Sequence, residues 1–153
     1  MSVQQDPIIV RPLTVADEQA WRILWKAYLA YYETSVTEEV YQSTFARLLG
    51  DDPQDFSCLV AEQNSKLIGL THFLYHRHAW KVENVCYLQD LFADTEVRGT
   101  GVGRKLIEAV YAHADTKGSP TVYWLTQDFN ATARTLYDRI GTLTPFIKYQ
   151  RLL

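Results

Sequence analysis

The 153-residue sequence predicts one α/β domain, with helices and strands mixed in the α+β manner over residues 1–153. Three observations point there. Apolar residues recur at three- and four-residue spacing in two early stretches, two apolar runs flank a short polar turn, and a strand–glycine loop–helix–strand succession fills the second half. Hydrophobic residues at 47% and charged ones at 22% are enough for a core and exclude a disordered chain.

No apolar run approaches the ~20 residues of a membrane-spanning helix. Met1-Ser-Val-Gln-Gln-Asp-Pro7 lacks the charged-then-apolar order of a signal peptide, so the expected location is cytoplasmic, with no membrane partner. A formal charge of −3 gives no broad basic field; nucleic acid is not an expected partner, and a cationic amine suits the surface better.

Ile8-Ile-Val-Arg-Pro-Leu13 reads as a first strand, and Thr14 with Asp17 and Glu18 as a helix start with acids in its first turn. Trp21, Leu24, Trp25, Tyr28, Leu29 and Tyr32 form the apolar stripe of that helix. Thr37-Glu-Glu39 opens a second helix carrying Val40, Tyr41, Phe45, Leu48 and Leu49, which ends at Gly50 before Asp51-Asp-Pro53. Ser57–Ala61 and Lys66–Tyr75, joined by Glu62-Gln-Asn-Ser65, predict a hairpin.

Val85–Ala93 is apolar at nearly every position, as expected of a central strand buried on both faces. Val102, Leu106, Ala109, Val110 and His113 mark a helix that closes near Lys117-Gly118, ahead of Pro120. Thr121–Thr126 reads as a strand, Asn130 as the N-cap of a helix bearing Ala133, Leu136, Tyr137 and Ile140, and Phe146–Arg151 as a last strand. Cys58 and Cys86 lie in strand-like apolar runs, where a small buried thiol is the expected role. His72, His76 and His78 read as solvent-exposed hairpin histidines, and no metal site is expected because no convergent ligand spacing accompanies them.

The chemistry concentrates in Glu96-Val-Arg-Gly-Thr-Gly-Val-Gly-Arg-Lys-Leu-Ile107. Alternating glycines let successive N–H groups face one concavity, and the helix that follows adds the positive end of its dipole, so the run predicts a diphosphate site. A P-loop would need Gly-Lys-Ser/Thr, which is missing. A dinucleotide fingerprint starting from Gly99 would need glycine where Arg104 stands.

Arg98-Gly-Thr-Gly-Val-Gly103 matches the Q/R-x-x-G-x-G/A signature of the GNAT superfamily of N-acetyltransferases, and the order of elements resembles that fold over nearly the whole chain. Tyr87-Leu-Gln-Asp-Leu-Phe92 and Leu136-Tyr-Asp138 resemble its histone- and polyamine-acetylating branch. The resemblance implies a mixed, mostly antiparallel twisted sheet flanked by helices, with acetyl-CoA as cosubstrate in the cleft between two splayed central strands.

By the same resemblance, Arg98, Gly99, Thr100, Gly101, Val102, Gly103 and Arg104 would hold the pyrophosphate. Leu91, Phe92 and Ala93 would pair with pantetheine through their main chain, and Asn130 and Ala133 would also touch the coenzyme. Arg134 is a further candidate for the phosphates, approaching from the next helix, and Lys105 flanks the loop. Tyr137 matches the tyrosine of the N-x-x-A-x-x-L/F-Y pattern, which often protonates the departing thiolate. A phenol at pKa ~10 can serve a thiolate of ~8.5.

The base is less determined. The branch commonly carries Glu where this chain has Gln89, and an amide accepts no proton at neutral pH. Asp90, Glu33, Glu83, a histidine or water then takes that role; Asp90 is the residue assigned to it here, with Tyr31, Glu33 and Gln89 placed at the acceptor. The expected reaction is acetyl transfer from acetyl-CoA to a primary amine of a small molecule, or to a protein lysine or N-terminus. The alternative is an acyl-CoA sensor without turnover. Relatives often dimerise through their last strands, and Thr144-Pro-Phe-Ile147 is compatible with a homodimer.

Overall fold

The computed structural model describes residues 6–97 and 99–153. Its elements run β1 (Ile9–Pro12), α1 (Glu18–Tyr31), α2 (Glu38–Leu49), β2 (Ser57–Gln63), β3 (Lys66–His76), β4 (Val85–Ala93), α3 (Val102–Thr116), β5 (Val122–Tyr123) and α4 (Ala131–Ile140). Single 3₁₀ turns at Val15–Asp17 and Thr95–Val97 lead into α1 and the glycine loop. The strands lie in the order β1-β2-β3-β4-β5, antiparallel throughout except for the parallel β4–β5 pair.

Local chemistry accounts for the boundaries. Asn64 and Ser65 both take positive φ (53° and 61°), which closes the β2–β3 hairpin in two residues with the twist its strands need. Thr37 Oγ1 accepts from Val40 N at 3.4 Å at the start of α2, and Asn130 Oδ1 accepts from Ala133 N at 3.3 Å at the start of α4. Adjacent residues of a strand face opposite ways, and β3 uses both faces. Leu70 packs with Trp21, Leu24 and Trp25 of α1 and with Phe45 and Leu48 of α2, whereas Phe73 packs with Ile107, Val110 and Ala114 of α3. The sheet is therefore sandwiched, with α1 and α2 on one face and α3 on the other.

Gly69 sets how closely α3 can stand. A Cβ there would lie 2.8 Å from Val102 Cγ1 and 3.0 Å from the Phe92 carbonyl oxygen, so the first turn of α3 presses on β3 where no side chain fits. This contact anchors the helix end that carries the glycine loop.

Two irregularities shape the centre. His72 pairs with Asp90 but Phe73 pairs with Leu88, leaving Gln89 as a one-residue bulge in β4. Leu88 consequently joins the α3-side core, while Asp90 turns to the face of α1. The second irregularity is the brevity of β5. The parallel ladder holds only Cys86 to Val122 and Tyr87 to Tyr123, and β4 then runs on to Ala93 away from its neighbour.

Two expectations need correction here. The strand expected over Thr121–Thr126 contracts to Val122–Tyr123, because a ladder cannot continue once β4 has parted from it. Phe146–Arg151 is not a strand. The segment 142–153 is an irregular arm with Phe146, Ile147 and Tyr149 at 79%, 78% and 89% exposure; it begins near Pro145, which lacks a donor, and meets no strand of its own chain. Among the described residues no helix is long and apolar enough to cross a membrane.

Candidate active site

At the end of β4 the chain turns through Asp94 and the 3₁₀ turn into the glycine loop, where Thr100 N and Oγ1 both bond to the Val97 carbonyl. Gly99 and Gly101 hold φ of 84° and 88°. A Cβ at either position would meet nothing within 4 Å, so backbone conformation rather than crowding requires glycine. Gly101 is the N-cap of α3 without a capping side chain, and the first helical bond recorded runs from Lys105 N to Gly101 O at 3.0 Å. The N–H groups of Val102, Gly103 and Arg104 therefore stand at the open, positive end of a helix of 15 residues. Such an end accepts phosphate oxygens.

Arg98 falls outside the described residues. Arg104 bonds Glu108 one turn along α3 at 2.7 Å, so its guanidinium lies along the helix surface and Lys105 beside it is exposed. Arg134 Nη1 donates to the Asp128 carbonyl at 2.7 Å and lines, with Tyr137 and Asp138, a groove of about 720 Å³ between β5, α4 and the arm. Leu136 Cδ2 would lie 3.6 Å from a Cβ on Gly103, which fixes α4 against the first turn of α3. Tyr111 of α3 reinforces this by donating to the Ile140 carbonyl at 2.7 Å.

Tyr137 is half-buried, its ring edge-on to Trp124 at 5.4 Å. Burial, with Tyr32 and Tyr31 nearby, pushes its hydroxyl up to about 12, so it is protonated at neutral pH. The tyrosines continue toward α1. Tyr31 meets Tyr32 at 5.2 Å, Tyr32 meets Tyr28 at 5.1 Å, and Tyr28 meets Phe92 at 6.2 Å. Burial raises the Tyr28 and Tyr32 hydroxyls and the Asp90 carboxylate adds to both, while Tyr87, also raised chiefly by burial, stacks on Tyr123 at 4.9 Å. The wall thus has Tyr137 at one end and Asp90 at the other.

Asp90 is buried at 8% exposure. Its Oδ2 accepts from Trp25 Nε1 at 3.3 Å and pairs with His72 Nδ1 at 2.8 Å, Tyr28 donates its hydroxyl to the same carboxylate, and Thr71 Oγ1 donates to the Asp90 carbonyl at 2.8 Å. His72 is a correction: expected in solvent, it is 2% exposed and receives Trp21 Nε1 at 2.9 Å. A polar residue inside the apolar run Lys66–Tyr75 was the available signal, since a buried ring needs partners. Gln89 is exposed on the bulge. Glu33 follows α1 with φ of 57° and an exposed side chain for which no hydrogen bond or ion pair is found among the described residues.

The remaining groups serve structure. His76 bonds the Tyr123 hydroxyl at 2.7 Å, and His78 Nδ1 accepts from Trp80 N at 3.1 Å. Cys58 and Cys86 are buried free thiols, both raised by burial, Cys86 to about 11. Among the described residues no three His, Cys, Asp or Glu side chains converge as a metal site would require.

The profile of the acetyltransferase (GNAT) family matches residues 18–142. The chain belongs to that family. It is also 39% identical over 147 residues to the D-amino-acid N-acetyltransferase HPA3 of Saccharomyces cerevisiae, spanning 95% of this chain and 91% of the relative. The thialysine N-epsilon-acetyltransferase of Mus musculus is 30% identical over 118 residues, covering 72% of this chain and 66% of the relative. Among solved structures, the aminoglycoside N-acetyltransferase AAC(6')-Iy in complex with CoA superposes with a TM-score of 0.84 over 99% of both chains at 17% identity, a likeness of fold.

This GNAT protein is accordingly an acetyl-CoA-dependent N-acetyltransferase. Its residues fit the coenzyme on their own terms. The bare N–H groups of α3, the two positive-φ glycines and the parting of β4 from β5 supply a phosphate seat and an open strand for an extended arm to lie along.

Proposed function

We propose that this enzyme acetylates the primary amine of a small molecule, with Asp90 serving the amine and Tyr137 serving the sulfur. The observation that carries this reading is the tyrosine wall with a buried carboxylate at one end and a protonated phenol at the other, beside the glycine loop. The names of the relatives support a small acceptor, since one acts on D-amino acids and another on thialysine.

An alkyl amine with a pKa of roughly 10 arrives as ammonium. The Asp90 carboxylate draws it in and takes one proton from nitrogen, freeing the lone pair to attack the acetyl carbon. Main-chain N–H groups of Leu91–Ala93 face the carbonyl oxygen as negative charge builds on it, a contribution on the order of 3 kcal/mol per well-placed donor. Tyr137 then donates its hydroxyl proton toward the departing sulfur. With the phenol at about 12 and a thiol near 8.5, full transfer in the bare pocket costs about 5 kcal/mol, so the proton moves only as charge develops on sulfur. Arg104, turned to Glu108, plays no part in this account.

Free-thiol release from acetyl-CoA with thialysine, D-alanine, an aliphatic diamine and a lysine-containing peptide tests it. Turnover is expected with at least one small amine and not with the peptide alone; coenzyme binding without thiol release for any of them would instead support a sensor. Tyr137→Phe should lower kcat about 100-fold with coenzyme affinity unchanged, and an unaltered rate removes Tyr137 from its role.

We also propose a homodimer in which each arm 142–153 lies along the partner's β5. Support comes from the open outer edge of β5, the groove of about 720 Å³ beside it lined by Phe146 and Ile147, and the exposure of those side chains in a single chain. Sedimentation should give a dimer that deletion of residues 142–153 converts to monomer. A full-length monomer at micromolar concentration refutes this assembly.

A further inference from the structure

We infer that His72 is a positioning residue for the acceptor amine, holding the Asp90 carboxylate through a ring tautomer that Trp21 selects. The inference rests on the reading above that Asp90 receives the amine. An indole N–H can only donate. Trp21 Nε1 lies 2.9 Å from His72 Nε2, so that ring nitrogen presents its lone pair and the proton sits on Nδ1. Nδ1–H then donates to Asp90 Oδ2 at 2.8 Å. The chain of donors runs one way, from Trp21 through His72 to Asp90.

The surroundings fix every member. Trp21 is fully buried and stacks on Trp25 at 5.2 Å, and both rings pack against the imidazole, at 6.0 and 5.6 Å. Trp25 sends its own N–H to the same carboxylate oxygen at 3.3 Å, and Thr71 holds the Asp90 carbonyl where the Gln89 bulge turns the strand. A core needing only volume would place apolar residues at these positions, because burying a carboxylate with an imidazole and two indole N–H groups costs more than it returns in stability.

The ionisable side chains around Asp90 are His72 on β3, Tyr28 and Tyr32 at the α1 end, Tyr87 on β4 and Cys58 on β2. None is a lysine or arginine, and among the described residues Asp90 forms no ion pair with either type. The carboxylate is therefore held by neutral donors, its charge left for an ammonium group and its orientation set by His72.

Two variants separate positioning from packing. His72→Asn keeps a carbonyl to accept from Trp21 and an amide N–H for Asp90; His72→Leu keeps volume and removes both. Steady-state rates with acetyl-CoA and the better of thialysine and D-alanine are measured alongside calorimetric CoA binding. His72→Leu should raise the amine KM and lower kcat, their ratio falling about 10- to 100-fold, as expected for a lost bond to a charged group. CoA affinity should stay within about two-fold, and His72→Asn should recover most of the loss.

The ¹⁵N spectrum of the wild-type ring should show the proton on Nδ1 and a bare Nε2. A proton on Nε2 overturns the inference, as does a His72→Leu enzyme with wild-type amine kinetics, or equal impairment of both variants with matching loss of CoA binding. A wild-type protein that binds CoA but acetylates no amine overturns the functional reading itself, and the positioning role falls with it.

Discussion

Replacing Gly101 by valine tests the coenzyme seat most directly. Gly101 holds φ at 88°, and a Cβ there would touch nothing within 4 Å, so the whole cost is conformational. A left-handed backbone costs an L-residue about 1–2 kcal/mol, and β-branching adds to it. For a chain of this size that strain corresponds to a Tm lowered by about 3–8 °C, well within a stability of about 5–15 kcal/mol, so the variant folds. Relief of the strain means rotation toward negative φ, which swings the N–H groups of Val102 and Gly103 away from their common concavity. Loss of one or two bonds to a charged phosphate, each about 1.5–3 kcal/mol, predicts a CoA Kd at least 10-fold higher and up to several hundred-fold higher. Titration calorimetry with CoA and a thermal melt measure the two effects. Gly103→Ala is the control, since Gly103 has no positive φ and its new methyl would find ordinary contact with Leu136 at 3.6 Å. Wild-type affinity in a folded Gly101→Val protein would refute the cradle.

Gly69→Val should destabilise the fold by about 3 kcal/mol, read by denaturant unfolding, because its Cβ alone would approach Val102 to 2.8 Å; coenzyme affinity should fall with it as α3 is pushed out. Asp17 receives two guanidinium N–H groups of Arg11 and the Thr14 N–H, and the Arg11 bond chiefly lowers its pKa from 3.8 to about 2. Its depressed pKa adds stability that is fully present above about pH 4 and disappears as pH falls through 2, about 1–2 kcal/mol once solvent screening of Arg11 is allowed for. Asp17→Asn should therefore flatten the fall of Tm between pH 4 and 2.

Much of this enzyme is legible in the sequence because its signals are local. The Gly99–Gly103 alternation, the Asn130 cap and the three- and four-residue spacing of Trp21 to Leu29 each need only a few neighbouring residues to take effect. The active-site interior is not local. Gln89 becomes a bulge only through the register of β4 against β3, and that one-residue slip decides that Asp90 turns to α1 and meets His72. His72 looked exposed because a histidine gives no sign of its partners, two of which come from a helix some fifty residues earlier. The terminal arm has strand-like composition, but pairing needs an edge, and none is offered to it within one chain.

The two-pair contact between β4 and β5 has a mechanical consequence. Everything after residue 121 is tied to the sheet by that narrow seam, by the Tyr111–Ile140 bond and by the packing of Leu136 and Tyr137. This final quarter should open at lower free energy than the rest, with its amides exchanging first. A coenzyme lying across the gap would clasp the two parts together, so slowed exchange in α4 on adding CoA would register occupancy even in a variant that no longer turns over.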